Sequence, residues 1–283
     1  MAPPARAFAA MLGVEAGALA VLFYGSNLRT GLLDGVLDFY VLLPGEAETG
    51  IWPRVSYREW DHGGETMRAK IATMALATFA EAAAGKRLDT TIWARFVQPS
   101  ALAWSRDSEA RTGVIRAVAA ACATAARLAC ALGPERGEAG DYWRSLFRAT
   151  YRAELRVESA GREDAIIAVN SAWFEELLPL ACEAASIACS GKGSELAPRM
   201  APVDRARILR WWRRRRRLGK ALNLVRLLRA SATFDGAARY AAWKIERHTG
   251  VAVELTPWRE RHPVLAAPGM LWRFWRARRR VRL

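Results

Sequence analysis

A chain of 283 residues that is 52% hydrophobic can bury one large core or two modest ones, which excludes a disordered tail. Lys and Arg total 43 against 28 Asp and Glu, a net charge of +15 that invites a polyanion: nucleic acid, anionic lipid or nucleotide. Residues 201–283 hold 22 of those basic residues but 5 of the acidic ones, while the first two hundred residues are close to neutral, so the pattern is a neutral body with a cationic, surface-binding appendage.

The N-terminal MAPPARAFAAML has one Arg and no long apolar stretch, which argues against a secretory signal. No run reaches the roughly 18 apolar residues needed to span a bilayer. Ala18 to Tyr24, ALAVLFY, reads as a buried strand closed by a Gly25-Ser26 turn, and Val36 to Leu43, VLDFYVLL, as a second strand broken only by Asp38. A loop is expected from Pro44 to about Gly64, a helix from Glu65 to Ala84, and short strands at Thr90–Val97 and Ala101–Trp104. Val114–Leu132 is an Ala-rich helix stopped by Gly133-Pro134. Tyr142–Arg152 and Asp164–Cys189 also read as helices, with Pro179 interrupting the second. Cys122, Cys130, Cys182 and Cys189 have spacings of eight and seven and no neighbouring His, so they read as buried free thiols of a reducing compartment rather than metal ligands. The scattered His62, His248 and His262 form no triad or ligand spacing.

The segment FYGSNLRTGLLDGVLDFYVLL carries the chemistry. A carboxylate inside an apolar strand is costly unless it is paired or holds a cation. A Gly-Ser turn lets backbone N–H groups and a hydroxyl approach a phosphate closely. Together, Gly25, Ser26 and Asp38 point to a nucleotide triphosphate and Mg²⁺. A carboxylate pair on one strand face would sit two residues apart, but that place is Tyr40, so Asp34 is the candidate second ligand. The alternative reading of the same residues is an ordinary turn and a strand-end Asp facing water. Lys70 either reaches a phosphate or snorkels.

The chain resembles the mitochondrial-type phosphatidate cytidylyltransferases, the translocator assembly and maintenance family, over Tyr24 to about Arg247. The family's Tyr-Gly-Ser turn and single strand Asp match Tyr24, Gly25, Ser26 and Asp38. An Ala-Gly-Arg-Leu-x-Lys-Pro segment is similar to Trp93–Pro99, with Arg95 and Pro99 kept and Gln98 in place of Lys. A Ser-Tyr-x-Gly-Asp-x-Arg-Met segment is similar to Thr150–Val157, with Tyr151 and Arg156 kept and Glu154 in the acidic place, followed by Glu163-Asp164. A last stretch resembles the chain at Gly236, Arg239, Tyr240 and Lys244. The resemblance implies an α+β nucleotidyltransferase-like mixed sheet. It also implies Mg²⁺-dependent conversion of CTP and phosphatidate into CDP-diacylglycerol and pyrophosphate. In that scheme Tyr24, Gly25, Ser26, Arg95 and Arg156 bind nucleotide, Asp38 and Asp34 hold metal, and Glu154 is a third carboxylate or base. Without the family pattern, Glu154 reads as a solvated charge of an alternating helix face.

Val203 to Arg229 reads as a basic amphipathic helix, with Trp211, Trp212 and five consecutive arginines from Arg213, Arg214 and Arg215 onward. The end of the chain repeats the theme with Trp272 and Trp275. Such helices lie at the boundary of an anionic bilayer, each cation contributing about 1 kcal/mol. A nucleic-acid arm or aromatics packed on the body are the alternatives. The expectation is a nucleotidyltransferase-like domain over 1–105, a helical, winged-helix-like part over 106–200 and a membrane-associating segment over 201–283. It would be cytoplasmic and peripheral on the inner face of a membrane. The rival functions are transfer to RNA or another acceptor, and a catalytically dead membrane scaffold.

Overall fold

The computed structural model of the protein describes residues 1–33, 35–50, 53–153, 161–192, 195–233, 236, 238–240, 242–243, 246 and 256. The first half runs α1 (Pro3–Glu15), β1 (Ala20–Tyr24), α2 (Ser26–Thr30), β2 (Val36–Leu43), β3 (Arg54–His62), β4 (Glu65–Ala75), α3 (Leu76–Ala83), α4 (Thr91–Phe96) and β5 (Ser100–Ser105). The second half runs α5 (Ser108–Leu132), β6 (Gly137–Glu138), α6 (Ala139–Ala153), α7 (Arg162–Val169), α8 (Ser171–Ala184), β7 (Ala188–Lys192), β8 (Glu195–Arg199) and α9 (Pro202–Thr233). The class is mixed α+β.

Five strands form a sheet in the order β3-β4-β2-β1-β5. Only β2 and β4 run parallel, so the sheet is mixed. Continuous apolar sequence in β1 and β2 is used on both faces. Val21, Phe23, Leu37, Phe39 and Val41 pack with Phe8 and Leu12 of α1 on one side, and Leu22, Tyr40 and Leu42 face the helical layer on the other. That helical core is continuous from Phe79 and Trp93 through α5, α6 and α8 to Trp212 of α9, so packing crosses both residue 105 and residue 201.

Three segments differ most from the sequence reading. The loop expected from Pro44 to about Gly64 holds strand β3, Arg54–His62, paired along its whole length with β4. The helix expected over Glu65–Ala84 begins as strand β4, because Met67, Ala69 and Ile71 alternate into the core and the Gly63-Gly64 turn, both at positive φ, closes a hairpin with β3. Helix starts only at Leu76. The strand expected over Thr90–Val97 is helix α4, whose Ile92, Trp93, Ala94 and Phe96 are buried, as is the following Val97; tertiary burial on several sides overrides the β-branched and aromatic local preference.

α5 ends at Leu132 as expected but begins at Ser108, six residues before the expected Val114. Asp107 caps it, accepting a 2.7 Å hydrogen bond from the Ala110 N–H, and this bond holds the Asp107 carboxyl below its ordinary range. By length and composition α5 also suffices to cross a membrane, contrary to the expected lack of any such run, yet two-thirds of that stretch is buried inside the protein. Pro179 lies within α8, and the chain instead bends by 93° between Glu163–Val169 and Ser171–Ala184. After α8 the β7–β8 hairpin joins β6 in a small second sheet. Cys122, Cys130 and Cys182 are buried thiols and Cys189 is half-buried.

Candidate functional site

One row of directly paired residues crosses the whole large sheet at the end where β1 stops. Ser100 pairs with Tyr24, Tyr24 with Asp38, Asp38 with Lys70 and Lys70 with Tyr57. Paired residues project from the same face of a sheet, so five polar or amphipathic side chains share one rim. Two residues further in, the row is Leu102, Leu22, Tyr40, Ala72 and Val55, and this face becomes core. The period of two in each strand thus separates a chemical edge from a packed interior.

The Gly25 turn sits directly against Asp38. Gly25 has φ 95° and ψ −167°, a conformation essentially confined to glycine, and a Cβ built there would lie 3.0 Å from Asp38 Oδ2. Backbone and carboxylate therefore meet with no room for a side chain between them. Gly25→Ala should cost about 1–3 kcal/mol through backbone strain alone and displace the Asp38 carboxylate, which denaturant unfolding measures.

Arg95, from α4, closes the rim. Its Nη1 donates a 2.7 Å hydrogen bond to the Tyr40 hydroxyl, and its guanidinium lies 5.1 Å from the Tyr24 ring centroid and 5.7 Å from that of Tyr40. Burial pushes the Asp38 carboxyl above the ordinary carboxylate range, and the charges of Lys70 and Arg95 pull it partly back. On β3, Tyr57 is buried and donates a 2.8 Å bond to Glu59, which itself lies 3.3 Å from Arg68. Burial and Glu59 hold the Tyr57 phenol above its ordinary range.

The edge of the rim is covered from the C-terminal part of the chain. The Tyr240 ring packs tilted against Tyr57 with centroids 5.6 Å apart, Trp243 lies 6.4 Å from Tyr240, and Arg68 sits 5.7 Å from the Trp243 ring. Gly236, at φ 78°, permits this approach, since a Cβ there would meet the Tyr57 carbonyl oxygen at 2.8 Å.

Of the residues expected at the site, Tyr24, Gly25, Ser26, Asp38 and Arg95 are brought to this end of the sheet. Asp34, Glu154 and Arg156 lie outside the described residues, as do Trp272 and Trp275. Lys70 is not at a helix start but opposite Asp38 on β4; its signal is the alternation of Met67, Ala69 and Ile71 around it. Tyr57, Arg68 and Trp243 escape sequence reasoning because nothing local ties them to Asp38.

As a Mg²⁺ site the described donors reduce to one carboxylate, Asp38, and no cluster of three or more His, Cys, Asp or Glu side chains is gathered among the described residues. Mg²⁺ that arrives on a triphosphate keeps most of its phosphate and water oxygens and takes one or two protein carboxylates. Asp38 fits that use.

The cationic helix is placed differently from expectation. Trp212 is 4% exposed and Arg215 5% exposed, while Trp211 packs 5.8 Å from Trp93. Arg215 donates to the carbonyls of Gly85 and Arg87, with its guanidinium 3.8 Å from the Trp211 ring centroid. These three side chains are committed to the body and do not face a bilayer, whereas Arg213 and Arg214 are exposed. The sequence presents the paired tryptophans as interfacial because core and membrane both ask for an apolar helix face.

Fold and site define an α+β protein with a cationic, aromatic-lined rim around one half-buried carboxylate, Asp38. No protein-family model matches the chain, and no curated protein does.

Proposed function

We propose that the protein is a nucleotidyltransferase that joins CTP to phosphatidate, giving CDP-diacylglycerol and pyrophosphate at an anionic membrane surface. The observation that carries the reading is the Gly25 backbone seated on Asp38 at the end of the central β1–β2 pair, with Lys70 and Arg95 as its flanking charges. The mixed sheet and the β7–β8 hairpin beside the helices suit the expected nucleotidyltransferase and winged-helix-like parts.

In this reading a phosphate oxygen of phosphatidate attacks the α-phosphorus of CTP, and the bond from that phosphorus to the β-phosphate oxygen breaks as pyrophosphate leaves. Gly25 and Ser26 offer backbone N–H groups and a hydroxyl to the triphosphate. Lys70 and Arg95 neutralise phosphate oxygens, Arg95 with a planar fork suited to them. Tyr24 and Tyr40 hold Arg95 in place. Asp38 is the residue for Mg²⁺, which when bound supplies charge neutralisation on the phosphates. Asp34, Glu154 and Arg156 are proposed in the metal, acid–base and nucleotide roles that the family resemblance gives them.

A second reading has one specific observation behind it. Tyr40 takes the place where a second carboxylate would stand, is 1% exposed, and spends its hydroxyl on Arg95. A rim arranged this way also suits a scaffold that binds nucleotide without transfer.

Pyrophosphate release by the purified chain with Mg²⁺ and each of the four nucleoside triphosphates, with and without phosphatidate vesicles, separates the two. Release requiring CTP and phosphatidate together, and falling by more than about 10²-fold in Asp38→Ala, is the expected result. Mg²⁺-dependent nucleotide binding with no release for any pair identifies the scaffold instead.

A further inference from the structure

A groove of about 730 Å³ runs between α6 and α9. Its walls carry Arg148 and Arg152 from α6 and Arg213 and Arg216 from α9, and its floor includes Leu209 and Trp212. Arg148 is paired with Glu163 at 2.9 Å. Arg152, Arg213 and Arg216 form no ion pair among the described residues and are exposed. Four guanidinium groups thus line one concave surface with an apolar base, and the carboxylates that oppose them, Glu163 and Asp164, both pair with Arg148 alone among the four.

We infer that this groove binds the phosphate headgroup of an anionic phospholipid. Guanidinium forks match phosphate oxygens in pairs, and the apolar floor suits the glycerol and first acyl carbons. Further along the same helix Leu218 and Val225 stand exposed, where an interfacial helix meets acyl chains. A single-stranded nucleic acid would need aromatic faces for its bases. The tryptophans of α9 do not supply them, because Trp212 is buried and Trp211 is packed on Trp93. The inference rests on this groove and not on nucleotide chemistry at Asp38, so either can fail without the other.

The test uses the full chain and vesicle flotation. The groove variant Arg152→Gln/Arg213→Gln/Arg216→Gln is compared with a variant of equal charge loss on the exposed side of α9, Arg210→Gln/Arg214→Gln/Arg217→Gln. On phosphatidylcholine vesicles containing phosphatidate, the groove variant should bind about tenfold more weakly than the parent and the other variant within about threefold. Both should keep the parent's melting temperature; if the groove triple melts early, the single exposed change Arg216→Gln, set against Arg217→Gln, carries the same comparison. Inorganic phosphate at matched concentration should not release the parent from vesicles. Equal weakening of both variants would mean diffuse charge attraction and overturn the site, and release by inorganic phosphate would reassign it to a free anion. Loss of single-stranded RNA binding with vesicle binding intact would overturn it in favour of nucleic acid.

Discussion

Arg215→Leu should destabilise the protein by roughly 2–4 kcal/mol, although it removes a cation from a helix already crowded with them. Two carbonyls, of Gly85 and Arg87, lose their Arg215 donor, and an unmet buried acceptor costs about 1–3 kcal/mol. Gly85 keeps the Trp211 indole N–H at 3.2 Å, which limits the loss. The contact with the Trp211 ring disappears as well, at about 0.5–2 kcal/mol. Acting the other way, burial pushes the Arg215 guanidinium down to about 10, so its charge is a cost that leucine relieves. That cost is present at neutral pH and fades only as pH rises through about 10, far from working conditions. Together these give a fall in Tm of about 3–7 °C for a chain of 283 residues. Arg213→Gln and Arg214→Gln, both exposed, should each stay within about 0.5 kcal/mol of the parent. Three equal melting curves would mean that α9 is not docked through Arg215.

The same arginine run shows where sequence reading stops. Five consecutive arginines announce a cationic helix, but not that Arg215 alone among them turns inward to serve the carbonyls that follow α3. That choice depends on where Gly85 lies, 130 residues earlier. β1, β2 and the body of α5 are legible because each is self-declaring: an apolar run ended by Gly25, an apolar run broken by Asp38, an Ala-rich stretch stopped by Gly133; the Asp107 cap that starts α5 before Val114 is not. β4 is not, because one face carries Arg68, Lys70 and Ala72 and the other includes Ala69 between Met67 and Ile71, so good helix formers mask the strand period. The site follows the same division. Gly25, Ser26 and Asp38 lie on adjacent elements and can be joined by spacing, whereas Lys70 and Tyr57 reach Asp38 only through the parallel β2–β4 pairing and its hairpin.

Asp38→Asn should abolish pyrophosphate release and yet leave an unliganded protein that melts above the parent at neutral pH. Burial dominates the Asp38 environment and raises its carboxyl despite Lys70 and Arg95, so the ionised group is less at ease in the folded chain than in the unfolded one. The sign follows from linkage: stability falls as pH rises from the ordinary carboxylate value, about 4, through the raised folded value, and the penalty is constant above that. Asparagine has the shape of the neutral acid and escapes the penalty, so its advantage should be full at pH 7 and close as the pH is lowered towards about 4. Adding Mg²⁺ and CTP should invert the order. A ligand at a hundred times its dissociation constant stabilises the folded chain by about 2.7 kcal/mol, and only the parent has the charge that receives it. If Asp38→Asn instead lowers the melting temperature at pH 7 without ligand, then Lys70 and Arg95 outweigh burial and Asp38 is the anchor of a structural ion cluster. If the order fails to invert with ligand, the carboxylate under the Gly25 turn is not where the nucleotide's charge is met.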